Sequence, residues 1–426
     1  MNEYDSSLLA DKLSSLGWEK TSKSEEAELI IYNTCSVREK AEQRVRAHIA
    51  ESSALKRRKK GKTKLAVIGC MAERTGKALL NDYPEIDFVL GPDYLFQLPD
   101  LLNNGFKGEG IFTASKDGNV SVLSSFEPKT ELSGKGISAF VAISRGCENY
   151  CSYCIVPYVR GPLRNRRVDD ILSEVRQLVS KGAVEVVLLG QNVNSYEDGR
   201  IDFPDLLRMV SSIEGVKRIR FTTSHPKDVS EKLFRIMAET PQICESLHLP
   251  LQSGSDRVLT LMNRGYTIGQ YKKSMELARR YMPDLCLTTD LIAGFPTETE
   301  DDFEMTLKAV ESIGFDAAFM FRYSNRPGTA AERIKDNLTD EIRISRLNRL
   351  IDLQQSQAKL RNQRLIGKIA EVLIDGISKK DISEPRGKDR GGRTVIIKGA
   401  NNLKIGEFVK VKIIGAGSWT LIGEVV

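Results

Sequence analysis

The chain has 426 residues, of which 41% are hydrophobic and 28% are charged, and its formal net charge is +6. This length predicts two or three domains that bury a substantial core. No apolar stretch approaches the roughly 18 residues that a spanning helix needs, which excludes an integral membrane protein. The N-terminus lacks a signal-peptide pattern, and seven cysteines with three of them clustered fit a reducing compartment. We therefore expect a cytoplasmic globular protein.

Residues 1–111 alternate short apolar runs with helical stretches. The runs at 29–32, 65–68 and 88–90 are apolar on both faces, as strands of a buried parallel sheet are. The pattern predicts a doubly wound α/β domain. Its first helix is predicted at 7–16 with no strand before it, so the chain is expected to begin inside the first strand-to-helix loop.

A stretch rich in Ser, Lys, Gly and Asp at 112–136 predicts a linker, and the βα alternation resumes after it. Residues 137–365 contain six apolar runs separated by helical stretches, which predicts a partial (β/α)6 barrel. Strands are predicted at 139–143, 184–189, 218–223, 245–249, 285–292 and 317–322. In such barrels the catalytic groups lie at the carboxyl ends of the strands.

Residues 366–426 change to short alternating strands between glycine-rich turns, at 368–374, 394–398, 408–414 and 420–425. This pattern predicts a small antiparallel β-barrel. The segment holds 11 Lys and Arg against 7 Asp and Glu. A basic terminal module suggests a nucleic-acid partner, although basic charge alone is weak evidence.

The most informative motif is CxxxCxxC, formed by Cys147, Cys151 and Cys154. Three thiolates this close hold three corners of a cubane iron–sulfur cluster and leave one iron open to a substrate or cofactor. An open iron is what radical chemistry on S-adenosylmethionine requires. The alternative is a zinc site, but zinc prefers four N or S ligands, and no second cysteine pair or nearby histidine follows.

Two further cysteines each follow a predicted strand of the first segment. Cys35 and Cys70 stand where a parallel strand ends and a helix begins, the position at which doubly wound sheets bind ligands. Two thiols from neighbouring strand ends can meet at one metal centre. Buried core cysteines are equally consistent with this placement, and both interpretations stay open on sheet geometry alone.

Together these motifs resemble the radical S-adenosylmethionine methylthiotransferase family. The resemblance rests on Asn33-Thr-Cys-Ser-Val-Arg38, on Gly69-Cys-Met-Ala-Glu73, on the CxxxCxxC run and on the basic terminal barrel. Longer runs, such as Leu189-Gly-Gln-Asn-Val-Asn-Ser-Tyr196, are similar to the subgroup that acts on N6-isopentenyladenosine in tRNA. The resemblance covers nearly the whole chain. It implies a domain with an auxiliary cluster at 1–111, a radical S-adenosylmethionine domain at 137–365 and an RNA-binding TRAM barrel at 366–426.

The resemblance implies transfer of a methylthio group to C2 of the base at position 37, next to the anticodon. The implied cofactors are two [4Fe-4S] clusters and S-adenosyl-L-methionine. The expected partners are the tRNA anticodon stem-loop and a low-potential electron donor such as flavodoxin or ferredoxin, with a monomer favoured. Alternative interpretations are a relative that acts on threonylcarbamoyladenosine or on a ribosomal-protein aspartate, and an RNA-binding protein whose iron–sulfur cluster is not catalytic.

One departure from the family concerns the auxiliary cluster, which takes three cysteines. In the family the first of them lies in a Gly-Cys-Gln directly before a Met-Asn-Glu-Tyr, and this chain begins at that Met-Asn-Glu-Tyr and lacks the cysteine. We expect that the start was assigned at an internal methionine and that Cys35 and Cys70 alone hold the auxiliary cluster poorly. Asp5 is the nearest candidate for an oxygen ligand.

Polar side chains at the ends of the predicted barrel strands are implied to bind S-adenosylmethionine, with Tyr153 contacting its adenine. These residues are Gln191, Asn192, Asn194, Ser224, His225, His248, Gln252 and Asp290. The alternative for either histidine is a hydrogen-bonded core residue. Cys244 and Cys286 have no companion at ligand spacing, so we interpret them as core thiols.

Two basic sets are candidates for RNA contacts. Arginines that follow the cluster motif are placed to bind phosphates of the anticodon loop, and a second set lies in the terminal barrel. The first set is Arg160, Arg164, Arg166 and Arg167, and the second includes Arg386, Lys388, Arg390 and Arg393.

Overall fold

Contacts divide the chain of the computed structural model into two units, and the structure describes residues 1–36, 39–103, 110–113, 136–379, 381–400 and 402–426. The first unit consists of Met1–Ser133, Arg145–Glu148 and Cys154–Arg166. The second consists of Gly134–Ser144, Asn149–Tyr153 and Arg167–Val426. Most of the predicted linker at 112–136 lies outside the described residues.

A parallel four-stranded sheet forms the centre of the first unit, with its strands in sequential order. The strands are β1 (Leu29–Thr34), β2 (Lys64–Gly69), β3 (Phe88–Leu90) and β4 (Ile111–Phe112). The helices are α1 (Asn2–Ser15), α2 (Glu39–Arg58), α3 (Cys70–Asp82) and α4 (Leu98–Asn103). The predicted α/β class is confirmed, but α1 begins at Asn2, five residues before the predicted start.

The strands of this sheet are apolar on both faces because helices cover both faces. Leu9 of α1 belongs to one core cluster, together with Ile68 of β2. Ile49 of α2 and Leu79 of α3 belong to a second cluster, together with Val67 of β2. Neighbouring residues of one strand thus pack on opposite sides of the sheet.

Six parallel strands of the second unit confirm the partial (β/α)6 barrel. They are β5 (Ser138–Ala142), β8 (Glu185–Leu189), β11 (Arg218–Phe221), β12 (Ser246–His248), β13 (Cys286–Ala293) and β14 (Ala317–Arg322). Two three-stranded sheets, β11-β8-β5 and β12-β13-β14, are linked by a parallel bridge between Ile219 and Ile243. Short strands are β6 (Ser144–Arg145), β7 (Arg164–Asn165), β9 (Glu197–Asp198) and β10 (Ile201–Asp202).

Helices alternate with the barrel strands, as predicted. They are α5 (Val156–Arg160), α6 (Val168–Ser180), α7 (Phe203–Ser211), α8 (Glu231–Glu239), α9 (Asp256–Leu261), α10 (Ile268–Tyr281), α11 (Glu300–Ile313) and α12 (Asp340–Gln363). Local sequence sets their starts: α10 and α11 begin with reciprocal capping boxes on Thr267 and Thr299. The carboxyl ends of the six strands meet at one edge, which we call the carboxyl edge.

A closed five-stranded barrel, called the C-terminal barrel below, follows α12. Its strands are β15 (Ile369–Ile377), β16 (Pro385–Asp389), β17 (Thr394–Lys398), β18 (Phe408–Ala416) and β19 (Thr420–Val425). The sequence prediction missed β16, whose Pro385 and Gly387 are atypical of strands. Gly387 is required there because a Cβ atom would lie 2.2 Å from the carbonyl oxygen of Leu373. The β17–β19 pair is parallel, whereas the prediction was antiparallel throughout.

The hairpin of β16 and β17 contacts the barrel strands β11, β12 and β14 at their amino ends. Arg218, the first residue of β11, is fully buried and donates from Nη1 to the carbonyl oxygen of Lys388 at 2.9 Å. In the other direction, Arg390 Nε donates to Glu245 Oε2 at 2.7 Å, and Arg393 Nη2 donates to Asp316 Oδ1 at 2.8 Å. The C-terminal barrel is therefore fixed at the end of the six-stranded sheet opposite the carboxyl edge.

Arg393→Ala is expected to lower the free energy of unfolding by on the order of 3 kcal/mol, because it leaves a buried carboxylate of Asp316 with one fewer cation. Arg386→Ala is the matched control. Its partner Asp375 is 28% exposed, so that pair is worth less than about 1 kcal/mol. Urea unfolding followed by circular dichroism measures both, and equal losses in the two variants would contradict this account of the docking.

Candidate functional site

Polar side chains that follow the barrel strands are joined to one another at the carboxyl edge. Asn194 Nδ2 donates to the carbonyl oxygen of His225 at 2.9 Å, and the His225 backbone N–H donates to Asn194 Oδ1 at 2.8 Å. Asn192 Nδ2 donates to Asp228 Oδ2 at 2.6 Å. The loops after β8 and β11 are thus held together by side-chain amides, as their predicted placement at strand ends requires.

Several polar atoms at this edge are buried without satisfying their hydrogen-bonding capacity. Within the described residues, Gln191 Oε1, Asn192 Oδ1, Ser224 Oγ and Gln252 Oε1 have no hydrogen-bond partner. A buried polar atom left unpaired costs about 1–3 kcal/mol, so a protein retains such atoms where a ligand satisfies them. Amide and hydroxyl groups suit the amine, carboxylate and ribose of S-adenosylmethionine, and the edge therefore fits that cofactor.

Backbone geometry contributes to the same edge. Gln252 has a positive φ of 70°, which is uncommon for a residue other than glycine. Its N–H donates to the carbonyl oxygen of Asp290 at 2.8 Å, and its own carbonyl oxygen accepts from Ile292 N–H at 3.0 Å. The strained residue is held between two backbone bonds to β13, which fixes the direction of the Gln252 side chain.

Cys151 lies beside a buried cation. Arg264 is 4% exposed, and its Nη1 donates to Cys151 Sγ at 3.1 Å and lies 3.4 Å from the Tyr153 hydroxyl oxygen. Burial opposes the charge of this guanidinium, but Tyr153, Tyr266 and Cys151 around it raise the pKa of Arg264 well above its usual value. This contact directs a guanidinium N–H at the sulfur of one of the three cysteines of the CxxxCxxC motif.

His225 contacts the same sulfur from another side, with Nε2 at 4.0 Å from Cys151 Sγ. Its Nδ1 accepts a hydrogen bond from Lys227 N–H at 3.3 Å, which places the proton of the neutral ring on Nε2. Burial, together with Arg264 and Lys227, lowers the pKa of His225 to about 2. The imidazole is therefore neutral and directs an N–H toward Cys151.

Cys147 and Cys154 belong to the first unit by their contacts. Cys147 N–H donates to the carbonyl oxygen of Gly161 at 3.2 Å. Gly146 makes this approach possible, since it has a φ of 75° and a Cβ atom there would lie 1.9 Å from the Pro162 carbonyl oxygen. In the parts of the chain that the structure describes, no three His, Cys, Asp or Glu side chains are already gathered around one point. The donor set of three thiols on one short loop nevertheless fits an iron–sulfur cluster with one open iron.

The first unit places the other two predicted ligands at neighbouring strand ends. Thr34 and Gly69 are paired at the ends of β1 and β2, and Cys35 and Cys70 follow them directly. Arg160 Nε donates to Cys70 Sγ at 3.2 Å. Burial raises the pKa of the Cys70 thiol, and the Arg160 guanidinium opposes that rise. Ligation of an auxiliary cluster by Cys35 and Cys70 stays a prediction.

Asp5, the predicted oxygen alternative, is buried in the same region. Its carboxylate accepts a hydrogen bond from Arg145 Nη2 and lies 3.8 Å from Arg160 Nη1. Two guanidinium groups already neutralise this carboxylate, so ligation of a metal by Asp5 would require breaking an ion pair.

His248 and Asp290 form a pair inside the barrel. His248 Nδ1 lies 2.9 Å from Thr288 Oγ1, and its Nε2 lies 3.5 Å from Asp290 Oδ2. Both side chains are partly exposed, at 19% and 28%. They are therefore accessible to a small molecule, as the sequence prediction of cofactor contacts requires.

The arginines predicted to contact RNA after the cluster motif are mostly engaged within the protein. Arg164 donates to both carboxylate oxygens of Asp93, at 3.1 and 2.8 Å, and Arg160 and Arg166 are buried. Arg167 alone of this set is largely exposed, at 74%. Its role in RNA binding stays a prediction. The other three arginines are engaged within the protein, and their contact with RNA also stays a prediction.

The second predicted RNA set has partners as well. Arg386 pairs with Asp375 at 3.1 Å, and Lys388 Nζ donates to Thr394 Oγ1 at 2.7 Å. Arg390 and Arg393 dock the C-terminal barrel, as described above. Contact of these residues with RNA stays a prediction, and the structure gives them a second role that the sequence did not reveal.

Sequence reasoning missed Arg264 and Arg145. Neither stands in a run of basic residues, and each finds its partner far away in the sequence, Arg264 at Cys151 and Arg145 at Asp5. The available signal was weak: Arg264 follows the short helix α9 within Met262-Asn-Arg-Gly-Tyr266, where an isolated charge stands between apolar residues.

Comparison with known proteins identifies the class first. Residues 141–310 match the Radical SAM superfamily, residues 1–91 match the uncharacterized protein family UPF0004, and residues 363–426 match the TRAM domain. The fold is similar to that of the radical S-adenosylmethionine methyltransferase TsrM from Kitasatospora setae. The TM-score is 0.58 at 15% identity, over 77% of this chain and 73% of that one. Fold and cysteine motif together define a radical S-adenosylmethionine protein.

The relatives narrow this class to one family. The chain is 42% identical to the tRNA-2-methylthio-N(6)-dimethylallyladenosine synthase of Bacteroides thetaiotaomicron, over 100% of this chain and 93% of that protein. It is 41% identical to the synthase of the same name from Clostridium perfringens, over 100% of this chain and 95% of that protein. This chain belongs to the family of tRNA-2-methylthio-N(6)-dimethylallyladenosine synthases.

Cys147→Ala, Cys151→Ala and Cys154→Ala are each expected to abolish formation of deoxyadenosine from S-adenosylmethionine, because a cluster held by two thiolates loses its open iron. Chromatography after incubation with dithionite measures the product. Cys244→Ala is the control: burial raises the pKa of Cys244 to about 11, and this inert thiol is dispensable for cleavage. Undiminished cleavage in any of the three variants would refute the assignment.

Arg264→Met is expected to weaken retention of the radical cluster about 10- to 100-fold, the usual effect of removing a partner of a metal ligand. The readout is the rate at which a chelator removes iron from reconstituted protein. Arg208→Met, which removes a 58% exposed arginine of α7, is the control. Equal rates in the two variants would show that Arg264 does not support Cys151.

Proposed function

We propose that this protein transfers a methylthio group to C2 of N6-isopentenyladenosine at position 37 of tRNA, next to the anticodon. The observation that carries the proposal is 42% identity along the whole chain to relatives named for this activity. The radical S-adenosylmethionine and TRAM matches agree with it, the first with the chemistry and the second with an RNA substrate.

The reaction explains why such a site is needed. C2 of adenine is an unactivated aromatic carbon that bears a hydrogen, and no side-chain base or nucleophile of this chain displaces it. When bound, the cluster and S-adenosylmethionine supply the radical that removes this hydrogen, and the auxiliary cluster supplies the sulfur. Cys147, Cys151 and Cys154 would hold the radical cluster, and Cys35 and Cys70 would contribute to the auxiliary one.

The chain's own residues would bind S-adenosylmethionine and orient the sulfur of Cys151. Gln191, Asn192, Ser224 and Gln252 present unpaired polar atoms that would receive the cofactor's amine, carboxylate and ribose. Asn194 fixes His225, and His225 together with Arg264 holds the Cys151 sulfur in place. Because these groups are fixed before the ligand arrives, little order has to be created on binding.

We further propose tRNA, through its anticodon stem-loop, as the macromolecular partner, with Arg167 as an accessible phosphate contact. A reductant such as flavodoxin or ferredoxin would supply the electron, and the enzyme would act as a monomer in the cytoplasm, where its tRNA substrate is. No helix within the described ranges is long and apolar enough to cross a membrane.

Deletion of the gene from its host is expected to remove 2-methylthio-N6-isopentenyladenosine from tRNA and to leave N6-isopentenyladenosine in its place. Mass spectrometry of digested tRNA measures both nucleosides. Restoring the gene should restore the methylthio nucleoside, whereas a copy with Cys151→Ala should not. An unchanged nucleoside profile after deletion would overturn the proposed function.

A further inference from the structure

An exposed aromatic side chain stands in the middle of β14. Phe319 is 53% exposed, although its neighbour Ala318 is 3% exposed, and β14 is an outer strand of the β12-β13-β14 sheet. An apolar ring in contact with water forgoes the free energy of burial, so an apolar ligand that covers this ring would gain that free energy. The structure therefore shows an apolar surface with no partner from the described residues over much of its area.

Strand pairing shows which way this ring faces. Phe319 is directly opposite Asp290 in the parallel register of β13 and β14. On β13 the alternate residues Thr289 and Leu291 are fully buried, whereas Asp290 is partly exposed. Side chains of a strand alternate between its two faces, and the outer face of this sheet is covered by α12. Phe319 thus shares the inner face with Asp290, inside the barrel.

One edge of the exposed ring meets a polar pair. The centroids of the Phe319 and His248 rings are 6.0 Å apart with planes at 71°, an edge-to-face contact. His248 in turn contacts Thr288 and Asp290, as described above. The result is an apolar wall with a carboxylate and an imidazole along its border.

We propose that Phe319 is a specificity-determining residue that contacts the five-carbon prenyl group on N6 of the substrate adenine; this inference rests on the proposed function. The prenyl group is branched, uncharged and wholly apolar, which suits an aromatic face. A threonylcarbamoyl group carries a carboxylate, which would meet the negative charge of Asp290 and gain nothing from the ring. Unmodified adenosine would leave the ring in water. The site favours prenylated adenosine because Phe319 attracts the prenyl group and Asp290 repels the threonylcarbamoyl carboxylate.

The test compares two anticodon stem-loops that differ only at position 37, one with N6-isopentenyladenosine and one with adenosine. The two RNAs compete for binding to cluster-loaded protein in the presence of S-adenosylmethionine, and the dissociation constant of each is obtained from the competition. The wild-type protein is expected to prefer the prenylated RNA, and Phe319→Ala is expected to reduce this preference about tenfold or more, the usual effect of losing contact with an apolar group of this size. Phe319→Leu, which keeps an apolar side chain, should retain most of it.

Met305→Ala is the matched control, because Met305 is 50% exposed on the outer helix α11 and is apolar like Phe319. It should leave the preference unchanged. Thermal unfolding and iron content of each variant separate loss of fold from loss of contact. A full preference retained by Phe319→Ala, or no preference in the wild type, would overturn this inference. The proposed function would fail separately, through an unchanged nucleoside profile after gene deletion.

Discussion

Buried arginines hold together parts of this protein that lie far apart in the sequence. Arg218 is fully buried on β11 and reaches the C-terminal barrel, and Arg264 is nearly so beside Cys151. Removing a charge from water costs several kcal/mol unless partners surround it, and breaking such a pair leaves the other charge stranded. The guanidinium group has five donors in a fixed plane, so it can satisfy partners on two elements at once. The positions of the docking hairpin and of the cysteine sulfur are both determined by this geometry.

The polar groups at the two ends of the six barrel strands have different roles, attachment of the C-terminal barrel at one end and ligand binding at the other. At the amino ends, Arg390 and Arg393 form ion pairs with carboxylates, and these pairs attach the C-terminal barrel. At the carboxyl edge, Gln191, Ser224 and Gln252 keep atoms without hydrogen-bond partners among the described residues. Buried unpaired atoms lower stability, and the ion pairs that attach the C-terminal barrel at the opposite end offset part of that loss. Stability and ligand binding thus come from different ends of the same strands.

How far the sequence predicted this structure depended on how local each signal was. Parallel strands apolar on both faces are visible in sequence, and all six barrel strands were found close to their true positions. Strand β16 was missed because Pro385 and Gly387 oppose strand propensity, although proline is accepted at the first residue of a strand, which is where Pro385 stands. The roles of Arg390 and Arg393 were beyond sequence reasoning, since the carboxylates of Glu245 and Asp316 lie many residues away. A basic run shows charge but not what neutralises it.

The cysteines show how structure separates residues that sequence treats alike. Cys244 and Cys286 are buried, and burial raises their pKa values to about 11 and about 12, so both stay protonated thiols at neutral pH. Arginines lie near these two as well, whereas the sulfur atoms of Cys70 and Cys151 each accept a guanidinium hydrogen bond, at 3.2 and 3.1 Å. Burial raises the pKa of Cys70 as well, and the Arg160 guanidinium opposes that rise without reversing it. A guanidinium donor directed at the sulfur is thus a feature that Cys70 and Cys151 share, and it adds to motif spacing and strand-end position as an argument for metal ligation rather than replacing them.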